Sequence, residues 1–205
     1  MSNPSRPLVI SVPHPRSLDL IFTPAQKQNL FAGYEVIEAE PDGFADLPDG
    51  VLARARYIIG QPPISDATLA RLASLRCVLN VESNLINNMP YETLFQRGIH
   101  VVTTGAVFAE PVAELGLGLA LDLFRGITQG DIAFQNGNEL WGGDGNGTAR
   151  LLSGSDIGIV GFGDLGRALN RLLSGFGARI KVYDPWLPHS ILVEINVTPA
   201  WRYSV

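Results

Sequence analysis

Over its first hundred positions the chain alternates short β-branched runs with helical stretches. That alternation predicts an α/β layer on a largely parallel sheet. Leu8-Val9-Ile10-Ser11-Val12 reads as a strand stopped by Pro13 and Pro15, and Tyr34-Glu35-Val36-Ile37 as a weaker one. Tyr57-Ile58-Ile59-Gly60 is a third, ended by Pro62-Pro63. Ser65 then caps a helix over 66–74 that keeps Leu69 and Leu72 on one face. Cys77-Val78-Leu79-Asn80-Val81 predicts a buried strand, followed by the polar loop Glu82-Ser83-Asn84. A short helix over 90–96, closed by Gly98, leads to Ile99-His100-Val101-Val102 as the last strand of this sheet.

Beyond it, Leu115, Leu117, Leu119, Leu121 and Leu123 alternate as a strand would, so period alone does not decide. End signals do. Pro111 suits a first helical turn, Glu110 and Glu114 suit the positive end, and Arg125 suits the negative end. The expectation is a long buried helix over 110–128, with Val112, Leu115, Leu119 and Leu123 on one face and Gly116 and Gly118 allowing a neighbour close. The glycine-rich stretch over 142–147 has no strand before it and reads as a flexible connection.

Composition narrows the function classes. With 46% hydrophobic and 17% charged residues the chain has material for packed cores and too little charge for a disordered one. A net charge of −5 leaves no electrostatic footprint for nucleic acid or an anionic membrane. The one cysteine, Cys77, rules out an intramolecular disulfide, and His14, His100 and His189 lie too far apart for a local metal motif. The first sixteen residues lack the apolar middle of a signal peptide, and the greasy stretch over 112–124 is too short for a bilayer. A cytoplasmic, soluble protein is expected.

The chemistry lies further on. Ile157-Gly158-Ile159-Val160 is a strand signal running into Gly161-Phe162-Gly163-Asp164-Leu165-Gly166 and then a helical pattern over 167–174 with Ala168, Leu169, Leu172 and Leu173 on its apolar side. A strand, a tight glycine turn and a helix are the context in which a GxGxxG string binds a dinucleotide. Gly161 permits the turn, Gly163 lets backbone approach a pyrophosphate, and Gly166 lets helix and strand pack closely. The helix N-terminus offers free N–H groups and positive charge to phosphates. A second strand, Arg179-Ile180-Lys181-Val182-Tyr183, ends at Asp184, 18 positions after Gly166. That is near the ~20 expected of the acid that binds the adenosine ribose hydroxyls. An acid there repels a 2′-phosphate, which favours NAD over NADP. A methyltransferase site is the rival reading of a glycine turn followed by a strand-end acid, and the third glycine favours the dinucleotide.

In order, these pieces resemble the D-isomer-specific 2-hydroxyacid dehydrogenases. The resemblance runs from the first strand to about Ala200. It includes Arg97-Gly98-Ile99-His100-Val101, the helix start Glu110-Pro111-Val112-Ala113-Glu114, the run from Gly158 to Gly166, and Val182-Tyr183-Asp184-Pro185. It implies a flavodoxin-like substrate-binding domain over 1–108, an interdomain helix region over 109–137 and a Rossmann NAD-binding domain over 138–205. It also implies an NAD-dependent oxidoreductase, moving a hydride between NAD and a 2-hydroxy or 2-keto acid, and a homodimer contact through the long helix. By position, Gly161, Gly163, Asp164, Leu165 and Gly166 would lie under the pyrophosphate and Asp184 on the ribose. Glu82 and Ser83 match the loop whose backbone N–H groups meet the substrate carboxylate. Many members have a glycine where this chain has Ser83, and a solvated polar turn is the other reading of that loop.

The family's carboxylate-binding arginine, its acid and its proton-transferring histidine belong past Ala200, so the resemblance assigns no catalytic residue here. His14, His100 and His189 are read as structural, the last in a surface loop. From Ile157 onward there are 49 residues, whereas a six-stranded Rossmann domain takes roughly 130–150. Two strands fit. The sequence therefore predicts a C-terminally truncated member, with an exposed edge on its first nucleotide-domain strand and no turnover of its own. The tail Trp201-Arg202-Tyr203-Ser204-Val205 departs from the family's pattern, which points to a frame break near Ala200. The alternative is a non-catalytic nucleotide-sensing or partner-binding module.

Overall fold

Both faces of the first sheet are apolar, and its central strand shows why. In β1 (Leu8–Val12), Leu8, Ile10 and Val12 enter one buried cluster while Val9 enters another. Period-two alternation with every position buried is the mark of a parallel strand covered on two sides. The computed structural model describes residues 6–200 and divides after Gly105 into two compact units. The tail over 201–205 lies outside the described residues.

In the first unit β1 is followed by α1 (Leu18–Ile21), α2 (Pro24–Gly33), β2 (Glu35–Glu38), α3 (Asp49–Arg54), β3 (Ala55–Gly60), α4 (Asp66–Arg71), β4 (Cys77–Leu79), α5 (Tyr91–Gln96) and β5 (His100–Val102). All five strands are parallel in the order β2-β1-β3-β4-β5. This is the flavodoxin-like order, with a topological switch beside β1. One face is sealed by Leu52, Leu69 and Leu94 from α3, α4 and α5 against Ile10, Ile58 and Val78. Ser65 caps α4 through its hydroxyl, as its position predicts. Strand β4 is shorter than expected: Asn80 leaves the strand and bonds into the following loop.

The second unit is built on α6 (Gly105–Arg125), α7 (Ile127–Gln135), a 3-10 turn (Asp144–Asn146), β6 (Asp156–Val160), α8 (Asp164–Ser174), β7 (Arg179–Tyr183), α9 (His189–Glu194) and β8 (Thr198–Pro199). Its sheet is parallel, in the order β6-β7-β8. Three strands therefore form where two were expected, because Thr198 and Pro199 pair with Lys181 and Val182. His189 opens α9 and does not lie in a loop.

The long helix corrects the sequence reading twice. It begins five residues earlier than expected, with Pro111 inside it, and stops at Arg125 because Gly126 takes a left-handed conformation (φ 65°) and starts α7. An interior proline deletes one helical hydrogen bond. Packing of Ala109 and Ala113 against Ala168 holds the turn helical around it. The expected buried face is also the wrong one. Leu115, Leu119 and Leu123 are 63%, 56% and 76% exposed, whereas Leu117, Leu121 and Phe124 pack on the core of Ile159, Leu173 and Val182. Leucines spaced by two make the helix apolar on both sides, and the sheet covers only one of them.

Candidate functional site

In the second unit the glycine motif forms the turn between β6 and α8. Five residue pairs hold β6 in register with β7, and the Gly161 amide extends the ladder by donating to the Tyr183 carbonyl at 2.8 Å. Gly161 then turns the chain with φ 88°, a conformation that a side chain rarely tolerates. Phe162 drops into the core, 1% exposed, and its ring lies 5.5 Å beneath the guanidinium of Arg167.

The remaining two glycines act differently. A Cβ on Gly163, the residue that caps α8, would meet no protein atom within 4 Å, so the space above it is open to a ligand. A Cβ on Gly166 would stand 2.4 Å from the Gly161 carbonyl oxygen, a separation that real Cβ atoms do not show. Gly166 thus lets the first turn of α8 lie against the turn that precedes it. Asp164 and Leu165 fill that first helical turn, where no side chain caps the helix. First-turn amides have no acceptor within their own helix and present positive charge outward. An open glycine, uncapped amides and a close helix–strand contact suit a dinucleotide pyrophosphate.

Asp184 closes the same site. Its Oδ2 accepts the Phe162 N–H at 2.7 Å, and its Oδ1 accepts those of Trp186 at 2.9 Å and Leu187 at 3.1 Å. One carboxylate therefore ties the glycine turn to the end of β7. Burial raises its pKa, but the three amides and the positive charge of Arg167 outweigh burial and hold it below the ordinary aspartate range. Ionised, it has about four acceptor positions and uses three, which leaves Oδ2 able to take a further donor such as a ribose hydroxyl. Because its native pKa is lowered, Asp184 stabilises the unit above the ordinary aspartate range. That contribution disappears as the pH falls through the lowered native value. An acid titration of the Asp184→Asn variant, followed by circular dichroism, should lack this loss.

Arg167 and Phe162 were not singled out by sequence reasoning. Arg167 Nε donates to the Phe162 carbonyl at 3.1 Å while stacking on the same residue's ring. The only sequence hint is a cation directly after the last motif glycine.

In the first unit the loop after β4 is already knitted together. Asn80 Oδ1 accepts the Glu82 N–H at 2.9 Å, Asn80 Nδ2 donates to the Asn84 carbonyl at 3.1 Å, and the Glu82 carbonyl accepts the Thr104 N–H at 3.2 Å. The Glu82 carboxylate pairs with Arg16 Nε at 2.9 Å, which neutralises it. The Glu82 amide is thus engaged within the loop, while the exposed Ser83 amide has no acceptor among the described residues. Gly161, Gly163, Gly166 and Asp184 come together; Glu82 and Ser83 belong to the other unit. Among the described residues no three His, Cys, Asp or Glu side chains converge as a metal site, and no helix is long and apolar enough to cross a membrane.

Comparison with known proteins agrees with this geometry. Residues 117–200 match the family described as D-isomer specific 2-hydroxyacid dehydrogenase, NAD binding domain. The chain is 31% identical over 184 residues to the glyoxylate/hydroxypyruvate reductase HPR3 of Arabidopsis thaliana, covering 88% of this chain and 55% of that protein. It is also 31% identical over 107 residues to the hydroxypyruvate reductase of Thermotoga maritima, across 52% of this chain and 34% of the relative. The crystal structure of a phosphoglycerate oxidoreductase from Rhizobium etli superimposes with a TM-score of 0.84 at 68% identity, over 95% of this chain and 61% of that one. The chain thus spans about three fifths or less of the length of these proteins. A match to the NAD-binding segment, a relative and a solved structure that each span most of the chain, and a flavodoxin-like sheet ahead of the glycine turn lead to one conclusion: the chain belongs to the D-isomer specific 2-hydroxyacid dehydrogenase family.

Proposed function

We propose that the chain carries the cofactor-holding part of an NAD-linked oxidoreductase acting on a 2-hydroxy or 2-keto acid. The observation that carries this reading is the pair of glycines with opposite surroundings, Gly163 open and Gly166 closed against the Gly161 carbonyl. Amides of the first turn of α8, Asp164 and Leu165 included, hold the pyrophosphate, and Asp184 accepts from the adenosine ribose. NAD supplies the hydride acceptor. In this reading a substrate-binding domain over 1–108 carries the Glu82–Ser83 loop, a helix region over 109–137 follows, and residues 138–205 form the NAD-binding domain. Neither His14, His100 nor His189 corresponds to the family's proton-transferring histidine, so this chain alone binds cofactor without turnover. Glyoxylate and hydroxypyruvate, named for the relatives, are the substrates to try first; steady NADH oxidation with either would overturn the inactive reading.

Cofactor binding has its own test. At about ten times Kd, NAD should stabilise the second unit by ~1.4 kcal/mol and raise its melting temperature by several degrees. Gly163→Ala should abolish that shift with unchanged ligand-free stability, because the new methyl meets only the ligand's space. NADP should shift it less, since Asp184 repels a 2′-phosphate. Equal responses from wild type and Gly163→Ala would sink the assignment.

The exposed stripe Leu115, Leu119 and Leu123 supports a homodimer through α6. Leu119→Asp should lower the sedimentation coefficient from dimer to monomer at the same loading concentration. Burial raises the Cys77 thiol pKa, which keeps it protonated and unreactive, and a single cysteine suits the reducing cytoplasmic setting proposed here.

A further inference from the structure

At the N-terminal edge of the five-stranded sheet, four arginines from separate parts of the chain converge. Arg6 precedes β1, Arg54 ends α3, Arg56 lies near the start of β3 and Arg76 stands immediately before β4. With Ser74 they line an open cavity of about 460 Å³, to which no carboxylate contributes. The chain's net charge of −5 gives no statistical reason for such a cluster.

Two of the four have structural work. Arg6 Nη1 donates to the Phe31 carbonyl at 2.8 Å, near the end of α2, and Arg54 pairs with Glu35. Arg56 and Arg76 have no carboxylate at ion-pair distance and no side-chain hydrogen bond among the described residues. Their backbones are nevertheless fixed, since the Arg76 N–H donates to the Arg56 carbonyl at 2.9 Å and the Arg76 carbonyl accepts the His100 N–H at 3.0 Å. Arg56 is also placed by a sheet irregularity. Leu8 pairs with Ala55 and Val9 with Tyr57, so Arg56 is an extra residue opposite β1. A bulge of this kind re-aims a side chain. Guanidinium groups gathered on one cavity repel each other unless an anion joins them, and each presents a planar fork of donors that fits a phosphate. The cavity falls in the size range of small-molecule sites.

We propose that this cavity binds a small phosphate-bearing anion, held chiefly by Arg56 and Arg76. The site lies on the first unit and does not depend on the NAD reading. Its test titrates inorganic pyrophosphate into the full chain while residue-resolved amide spectra are recorded, with sodium chloride at matched ionic strength as control. Glycerol phosphate in a second titration distinguishes a phosphate monoester from free inorganic anion. Saturable shifts are expected at Arg56, Tyr57, Arg76 and Cys77, and the double variant R56Q/R76Q should bind at least about tenfold more weakly. Shifts confined to 161–166 would mean that pyrophosphate finds only the glycine turn, and would overturn the proposal. So would equal shifts under chloride or unchanged affinity in the double variant. Binding to anionic vesicles without binding to soluble pyrophosphate would replace it with a membrane contact. Both arginines are exposed, so the single variants R56Q and R76Q keep the fold and provide a second reading if the double variant does not.

Discussion

Gly166→Ala should unfold the nucleotide-binding unit more readily than the other glycine changes considered for that site. The added methyl lands 2.4 Å from the Gly161 carbonyl oxygen and 3.5 Å from the Ile159 side chain. The first neighbour is backbone, already fixed because its own amide donates to Tyr183. It cannot swing aside as a side chain would. Relief requires α8 to move off β6, which loosens the contacts of Phe162, Leu169 and Leu173 in the same core. Overpacking against flexible neighbours costs about 1–3 kcal/mol. Against fixed backbone the upper end applies, so a loss of ~3 kcal/mol is expected for the second unit in urea denaturation. NAD affinity should fall with it. Gly158→Ala is the control, because a Cβ there meets nothing within 4 Å. If both variants were equally stable, the close contact would not be what fixes glycine at 166.

Asp184→Ala carries the second large effect, and it separates two roles of one carboxylate. Removing it leaves the N–H groups of Phe162, Trp186 and Leu187 without their acceptor. Hydrogen bonds to charged groups contribute about 1.5–3 kcal/mol each when protected, and water replaces part of that at this partly buried site. A net loss of about 2 kcal/mol follows for the unit. If Asp184 accepts from the adenosine ribose as proposed, cofactor affinity should drop by more than stability alone explains. Asp184→Asn sharpens the point: its carbonyl can still take the Trp186 and Leu187 amides, but its NH2 then faces the Phe162 N–H, donor against donor. We expect this variant to keep most of the turn at 184–187 while losing the tie to the glycine loop, read as a selective shift of the Phe162 amide resonance. An unperturbed Phe162 amide in both variants would remove Asp184 from the architecture of the site.

Much of the fold was legible because parallel α/β proteins announce themselves locally. β1, β7 and the cap at Ser65 follow from runs and residues that act within a few positions. The turn at Gly161 and the close helix–strand contact at Gly166 were equally readable, since a strand–turn–helix context restricts what each must do. Other features were written in the chain and passed over. Thr23-Pro24-Ala25-Gln26 is a complete capping box, with Thr23 and Gln26 bonded in both directions, and it opens α2. The burial of α6 was not legible, because leucines at every second position give a helix two apolar sides and only tertiary packing selects one. β8 has two residues, below the length at which a pattern exists. The arginine cavity was invisible for a different reason: its four cations are scattered over seventy positions, and only parallel pairing of β1, β3 and β4 brings their N-terminal ends together.

The buried clusters show how load is distributed along the chain. One pair of clusters draws only on residues between Leu8 and Val101, the other only on residues between Ala109 and Val197, and no side chain belongs to both. Protection against amide exchange is therefore held in two separate compartments. Damage to one, such as Gly166→Ala, should speed exchange throughout β6, β7 and α8 while β1 and β3 keep their slow protons. Changes in sequence can then accumulate in the nucleotide unit without penalty to the sheet that precedes it, so the two halves are free to evolve at different rates.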